Sequence, residues 1–179
     1  MRRKFLWTSI LFGAVVVTIT LWYIWPKSYH HTFEGIRYQL GSENTEIEES
    51  VTVELDGEIQ NRLFENRTYR GTIRIAGQKI PPENAGEVEI QFDIKDGGDG
   101  VKYTVMKDEG NYPTLYFLGT IFLNDQLDEL ALTIHDQRES GSSWSSKDGM
   151  MITAPAGSRS EALSTANKLM NEILQQPLE

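Results

Sequence analysis

Cysteine and histidine, the commonest nucleophilic and metal-binding side chains, are scarce in this sequence of 179 residues. It contains no cysteine, which removes thiolate nucleophiles, disulfides and thiolate metal sites. Its three histidines are His30, His31 and His135. His135, Asp136 and a serine from the 140–146 run would make a hydrolytic triad on paper. No G-x-S-x-G surrounds those serines, so the strained turn that exposes a nucleophile is missing. His30 and His31 are adjacent, and neighbours in an extended chain point to opposite sides, which is wrong for a shared metal. Glu43, Glu46, Glu48 and Glu49 crowd one acidic loop, 41–50, without the spacing of a calcium-binding loop. Asp96-Gly-Gly-Asp-Gly100 has the composition of a hairpin turn, and no helix follows it to hold a phosphate. The expectation is therefore no catalytic residue, no metal ligand and no cofactor. Acids are numerous at 26, so a carboxylate pair assembled by the fold is the remaining route to hydrolysis.

Recognition has a better candidate. Ser140-Gly-Ser-Ser-Trp-Ser-Ser-Lys147 is small and polar except at Trp144, with Ser143 and Lys147 beside it. A large ring on an adaptable loop has the character of a binding hot spot. The alternative is that Trp144 folds back over an edge of the core, as buried area favours for so large a side chain. All the acids follow residue 28, whereas Arg2, Arg3, Lys4 and Lys27 precede it. The acidic part repels phosphate backbones, so nucleic acid is not expected as a partner.

The elements that position these residues begin with 5–25, FLWTSILFGAVVVTITLWYIW, which carries no charge. As a helix it would rise ~31 Å, about one hydrocarbon core. Trp7 lies near one end and Trp22, Tyr23 and Trp25 at the other, where amphipathic rings favour the headgroup level. Its bulky C-terminal end is unlike a signal-peptide cleavage site, so an uncleaved signal-anchor is expected. The basic residues 2–4 place the N-terminus in the cytoplasm and the rest outside the cell membrane. Absence of cysteine in an exported domain fits a bacterial source.

Residues 26–32 read as a linker, and 33–179 as one extracytoplasmic domain. Strand patterns fall at 33–40, 51–58, 69–75, 86–95, 101–107, 114–123, 127–135 and 149–154. Within 114–123 both faces are apolar, as in a strand covered on both sides. Arg70 and Arg74 should meet acids of the 86–95 strand. Tyr69-Arg-Gly-Thr-Ile73 echoes Phe117-Leu-Gly-Thr-Ile121, which places a glycine inside a strand beside an aromatic ring. Ser158 and Glu161 form a capping box that opens a helix over 158–175, with Ala162, Leu163, Ala166, Leu169, Met170 and Ile173 on one face. The expected fold is a single transmembrane helix plus an α+β domain. That domain is a mainly antiparallel sheet of seven or eight strands, sandwich or partial barrel, with the C-terminal helix packed on it. The function expected is a non-enzymatic, membrane-anchored binding or accessory module that meets another envelope protein. The alternatives are an anchored hydrolase of cell-envelope material and, if the strands enclose an apolar cavity, a small-ligand or lipid carrier.

Overall fold

A computed structural model of the chain describes residues 2–77, 89–95, 97–106, 113–138 and 141–179. Helix α1 (Arg2–Ile24) runs almost directly into strand β1 (Lys27–Gln39). Strands β2 (Glu48–Gln60), β3 (Arg67–Ile75), β4 (Ile90–Ile94), β5 (Asp99–Met106), β6 (Pro113–Leu123) and β7 (Leu130–Ile134) follow. A small hairpin, β8 (Asp136–Arg138) and β9 (Gly141–Ser143), precedes β10 (Met150–Ala154) and helix α2 (Arg159–Leu169). Eight strands form one antiparallel sheet in the order β4-β3-β2-β1-β10-β7-β6-β5. Apart from the β8–β9 insertion, and from β4 and β5, which are not paired with each other among the described residues, each strand lies beside its neighbour in sequence, β1 pairs with β10, and the sheet curls into a nearly closed barrel. The choice between sandwich and partial barrel thus falls to the barrel.

Alternation explains how one strand serves two cores. Phe33 of β1 faces the barrel interior with Val53, Leu55, Tyr69, Phe92, Ile121, Leu132 and Ile152. Ile36, Tyr38 and Leu40 face outward into a second cluster with Phe122, Ala131 and Met151. Helix α2 covers that outer cluster with Ala162, Ala166 and Met170, each fully buried. The tyrosine hydroxyl of Tyr38 lies 3.1 Å from Thr153 Oγ1. Burial pushes its pKa up to about 12, although the bond to Thr153 and the charge of Arg159 act to lower it.

The barrel has a seam where β4 and β5, the two ends of the sheet order, meet across the turn 95–98. Gly98 takes the left-handed conformation there (φ +66°) and its N–H donates to Lys95 O at 3.0 Å. Asp99 bridges the seam, accepting from the Asp93 N–H at 2.8 Å and from Lys95 Nζ at 3.1 Å. Burial acts to raise the Asp99 pKa, but these donors and the Gly100 N–H outweigh it and hold the carboxyl below its usual range.

Several sequence expectations change in the folded chain. The stretch expected as a linker, 26–32, is mostly strand, because Lys27 to Thr32 pair with Ile59 to Glu54. Only the end of 114–123 is covered on both sides: Ile121 and Leu123 face inward and Phe122 faces α2, while Leu115 is 66% exposed. The strands enclosed on both faces are β10 and β7, whereas the C-terminal part of β1 buries Ile36, Tyr38 and Leu40 and leaves Arg37 and Gln39 partly exposed. The strand expected over 127–135 shortens to β7, since Leu127 adopts φ +62° in the preceding turn. The polar segment 136–148 contains the β8–β9 hairpin instead of running as open loop. Residues 86–88, 107–112, 139 and 140 lie outside the described residues, with the strand and turn ends expected there.

Helix α2 is shorter than 158–175. Met170 caps it, its N–H bonding Ala166 O, and tight turns carry the chain to 174. The capping box forms one residue early, with Glu161 Oε2 accepting from the Gly157 N–H at 2.8 Å while Ser158 Oγ accepts from the Glu161 N–H at 3.4 Å. Arg70 does meet Glu89, at 2.6 and 2.9 Å; Arg74 lies 3.6 Å from Glu54 on β2, and Glu87 of the expected strand lies outside the described residues. The echoed glycines mark close backbone approach. Gly57 and Gly71 stand opposite each other in register, and a Cβ on Gly57 would lie 2.6 Å from Gly71 Cα.

Among the described residues no helix is long and apolar enough to cross a membrane. The side chains of α1 are described at Trp7 and from Ile10 onward, and residues 10–24 rise only ~22 Å. The expected 5–25 span is therefore not carried by the described part of α1 alone. Within that part the apolar side chains are nearly all exposed: Ile10 is 62%, Phe12 72% and Val17 57% exposed.

Two measurements test this account. Asp99→Ala should lower stability by about 1–2 kcal/mol, the scale of a charge-assisted bond, and should speed amide exchange in β4 and β5 before other strands. Because the folded carboxyl lies low, wild type should lose the same increment only as pH falls below ~4. At the alkaline end, the raised Tyr38 pKa means its contribution is intact below pH ~10 and is lost as pH climbs toward ~12. Tyr38→Phe should flatten that alkaline limb of a denaturation profile.

Candidate binding cleft beside Trp144

The loop that carries Trp144 is short and internally bonded. Ser145 Oγ accepts from the Lys147 N–H at 3.1 Å, and Ser145 O accepts from the Gly149 N–H at 2.8 Å. These bonds turn the chain back into β10 and set the ring against Gly149. A Cβ at position 149 would lie 2.6 Å from the indole Cδ1, so only glycine lets the ring sit there. The indole Nε1–H donates to Met150 O at 3.1 Å. Trp144 is half-buried and packs against the outer cluster beneath α2. It covers a core edge while one side of the ring stays open.

Two concavities share that ring. The larger, about 720 Å³, runs from Gly41 and Ser42 past Trp144, Ser146 and Lys147 to Ile173 and the segment 174–179. The smaller, about 270 Å³, holds Ser143, Gln39 and Asp148 on the other side. The structure thus brings Trp144 and Lys147 together in one cleft and places Ser143 in its neighbour. The far wall is fixed by side chain to backbone bonds. Asn167 Oδ1 accepts from the Leu178 N–H at 2.7 Å, and Asn167 Nδ2 donates to Leu178 O at 3.2 Å. Glu179 O accepts from the Gly41 N–H at 2.6 Å. Leu178 itself is buried in the outer cluster.

The lining sets the chemistry. Trp144, Ile173 and Leu174 offer apolar contact, Gln175 and Gln176 offer amides, and Lys147 offers a cation. The described lining of the larger cleft has one carboxylate, Glu179, and that of the smaller has one, Asp148. Neither set provides the two converging acids of a glycosidase. Glu89 and Asp99 are held low by their cationic and N–H donors, the opposite of what a general acid needs. Among the described residues no three His, Asp or Glu side chains are grouped to hold a metal. His30 Nδ1 lies 3.7 Å from Asp56 Oδ1, while His31 turns to the other face and packs on Phe33, centroids 4.3 Å apart. Around His135, the side chain of Asp136 and the residue Ser140 lie outside what is described. The ring of Phe117 packs edge-on against His135.

The aromatic residues expected at the anchor's ends are exposed: Trp7, Trp22, Tyr23 and Trp25. Lys27 Nζ sits 4.6 Å over the Trp22 ring. Sequence reading missed the partners of the helix end. Gln60 Nε2 donates to Ile24 O at 3.3 Å and Asn61 Nδ2 to Tyr23 O at 3.1 Å, so the barrel caps α1 with its own amides. It also missed the 173–179 wall, for which Pro177 after a helix pattern was the one available signal. Comparison with known protein families, with characterised proteins and with solved structures finds no match.

Trp144→Ala should cost about 2 kcal/mol, below the range of a fully buried tryptophan because the ring is half open. Trp144→Phe keeps most of the packing and should cost about 1 kcal/mol, the value of the lost Nε1 bond. Gly149→Ala should displace the indole and reproduce most of the Trp144→Ala loss in urea denaturation.

Proposed function

We propose that this chain is a membrane-anchored binding or accessory module, non-enzymatic, whose barrel stands outside the cell membrane and takes an envelope protein partner at the Trp144 cleft. The observation that carries the reading is the outward display of apolar side chains around α1, from Ile10 through Trp25. A helix apolar on every side is unfavourable in water and is matched by a hydrocarbon environment. With residues 5–9 added, the uncharged run reaches ~31 Å and can span one. Arg2, Arg3 and Lys4 then favour a cytoplasmic N-terminus.

Strand β1 sets where the cleft lies relative to that anchor. It leaves α1 at Lys27 and ends at Gln39, two residues before Gly41 at the cleft. At ~3.3 Å per residue the strand covers ~40 Å. The cleft therefore belongs to the membrane-distal end, where a partner can reach it and lipid cannot. Its mixture of a rigid indole, aliphatic groups and amides suits an extended peptide segment with an apolar side chain. The acidic barrel disfavours nucleic acid. The interior of the barrel is packed with Leu55, Tyr69, Phe92, Ile121 and Leu132, which weighs against the carrier alternative.

Site-specific photo-crosslinking in intact membranes tests the reading. A photoreactive phenylalanine at Ser146 or Ile173 should give one discrete protein adduct, lost on Trp144→Ala. The same group at Lys102, on the barrel wall, should give none. Equal labelling from Lys102, or adducts that survive Trp144→Ala, would remove the cleft as the recognition site.

A further inference from the structure

The loop between β2 and β3, residues 61–66, ends in an apolar tip that the domain itself does not use. Phe64 is 102% exposed and Leu63 48% exposed. Phe64 also adopts φ +67°, a conformation that bulky side chains rarely take. A strained backbone that points a ring away from every neighbour is not explained by packing within the fold.

The position of the loop supplies the explanation. It begins at Gln60 and Asn61, whose amides cap Ile24 O and Tyr23 O at the end of α1. The tip therefore starts at the level of Trp22, Tyr23 and Trp25. The charges flanking it are occupied: Arg62 pairs with Glu65 at 2.9 Å, and Arg67 bonds Asp125 Oδ1 at 3.1 Å and its carbonyl at 3.0 Å. Arg62, Glu65 and Asn66 share the surface with Leu63 and Phe64, and the two apolar side chains follow directly on the residues that bond the aromatic end of the helix.

We infer that Leu63 and Phe64 insert into the headgroup and acyl boundary of the bilayer, forming a second, shallow membrane contact beside the anchor. This rests on the reading of α1 as a membrane span. Aromatic side chains are favoured at that depth, and a contact of this kind holds a domain in one orientation instead of letting it pivot on a single helix. With the barrel fixed by two points, the Trp144 cleft is presented at a constant height.

The chain has no cysteine, so single-cysteine variants can carry a spin label without background. The full chain, reconstituted in vesicles of mixed anionic and zwitterionic phospholipid, would be labelled at Phe64→Cys, Val16→Cys or Ser146→Cys. Relative accessibility to oxygen, which partitions into lipid, and to a water-soluble nickel chelate would be read at each site. The expected result is a several-fold higher oxygen-to-nickel ratio at 64 than at 146, with 16 higher still. In a Leu63→Cys background, Phe64→Ser should shift the ratio at 63 toward the aqueous value. A water-like ratio at 64 with a lipid-like ratio at 16 would overturn the second contact and leave the anchor standing. Shielding of 64 from both reagents would overturn it in favour of a protein neighbour. A water-like ratio at 16 would overturn the anchor, and the second contact with it.

Discussion

Everything in this fold depends on β1 being shared. It pairs along most of its length with β2 and, at its C-terminal half, with β10. The second pairing returns the last strand to the first and curls eight strands into a barrel. It also requires that β1 be buried on both faces around residues 35 and 36, and on its outward face as far as Leu40, where Arg37 and Gln39 on the opposite face stay partly exposed. The sequence meets this with Ile36, Tyr38 and Leu40 outward against α2 and with Phe33 and Gly35 inward. Gly35 lies against the backbone of Thr153 and Ala154, so the two strands approach too closely for a side chain. Helix α2 is then needed to seal the outward cluster, and the 173–179 segment is drawn down with it. The cleft beside Trp144 exists because that sealing is incomplete at its edge.

The same strand couples the two ends of the molecule. Its first residue follows α1 with almost no intervening chain, and the amides of Gln60 and Asn61 tie the helix end to the β2 side. Where a flexible linker would decouple helix and barrel, direct pairing of Lys27 with Ile59 makes their relationship stiff. A stiff junction fixes the position of the cleft relative to the helix. The seam at β4 and β5 is the counterpart weakness. Among the described residues it is held by the carboxylate of Asp99 instead of a ladder of backbone bonds, and so is the place where the barrel should open first.

Strand-by-strand legibility was uneven for identifiable reasons. The eight strand patterns were visible because one face of each is buried and alternation is a local signal. The helix opened where Ser158 and Glu161 said it would, since capping is decided within four residues. The 26–32 segment was misread because Ser28, His30 and Thr32 are polar and exposed; its pairing with β2 is long-range and leaves no periodic apolar mark. The two-sided burial of β7 and β10 was equally hidden. Ala131 and Thr153 look unremarkable in sequence and are enclosed only because α2 and Tyr38 lie over them. Composition alone singles out Trp144. That its ring both covers the core edge and walls a cleft followed from Gly149 and from a C-terminal segment that the sequence leaves unplaced.

The sequence by itself determined the apolar N-terminal helix with its aromatic ends, the antiparallel strand set, the C-terminal helix and the absence of cysteine. These are properties of composition and of spacings shorter than about a dozen residues, which a chain carries without folding. Tertiary structure decided the closure of the sheet, the junction of helix and barrel, the cleft formed by loops 42 and 146 with the 173–179 segment, and the display of Phe64. The first three are contacts between residues far apart in the chain, such as Gly41 with Glu179 or Asn61 with Tyr23. Their energies depend on which surfaces meet, and that is fixed only when the strand order is.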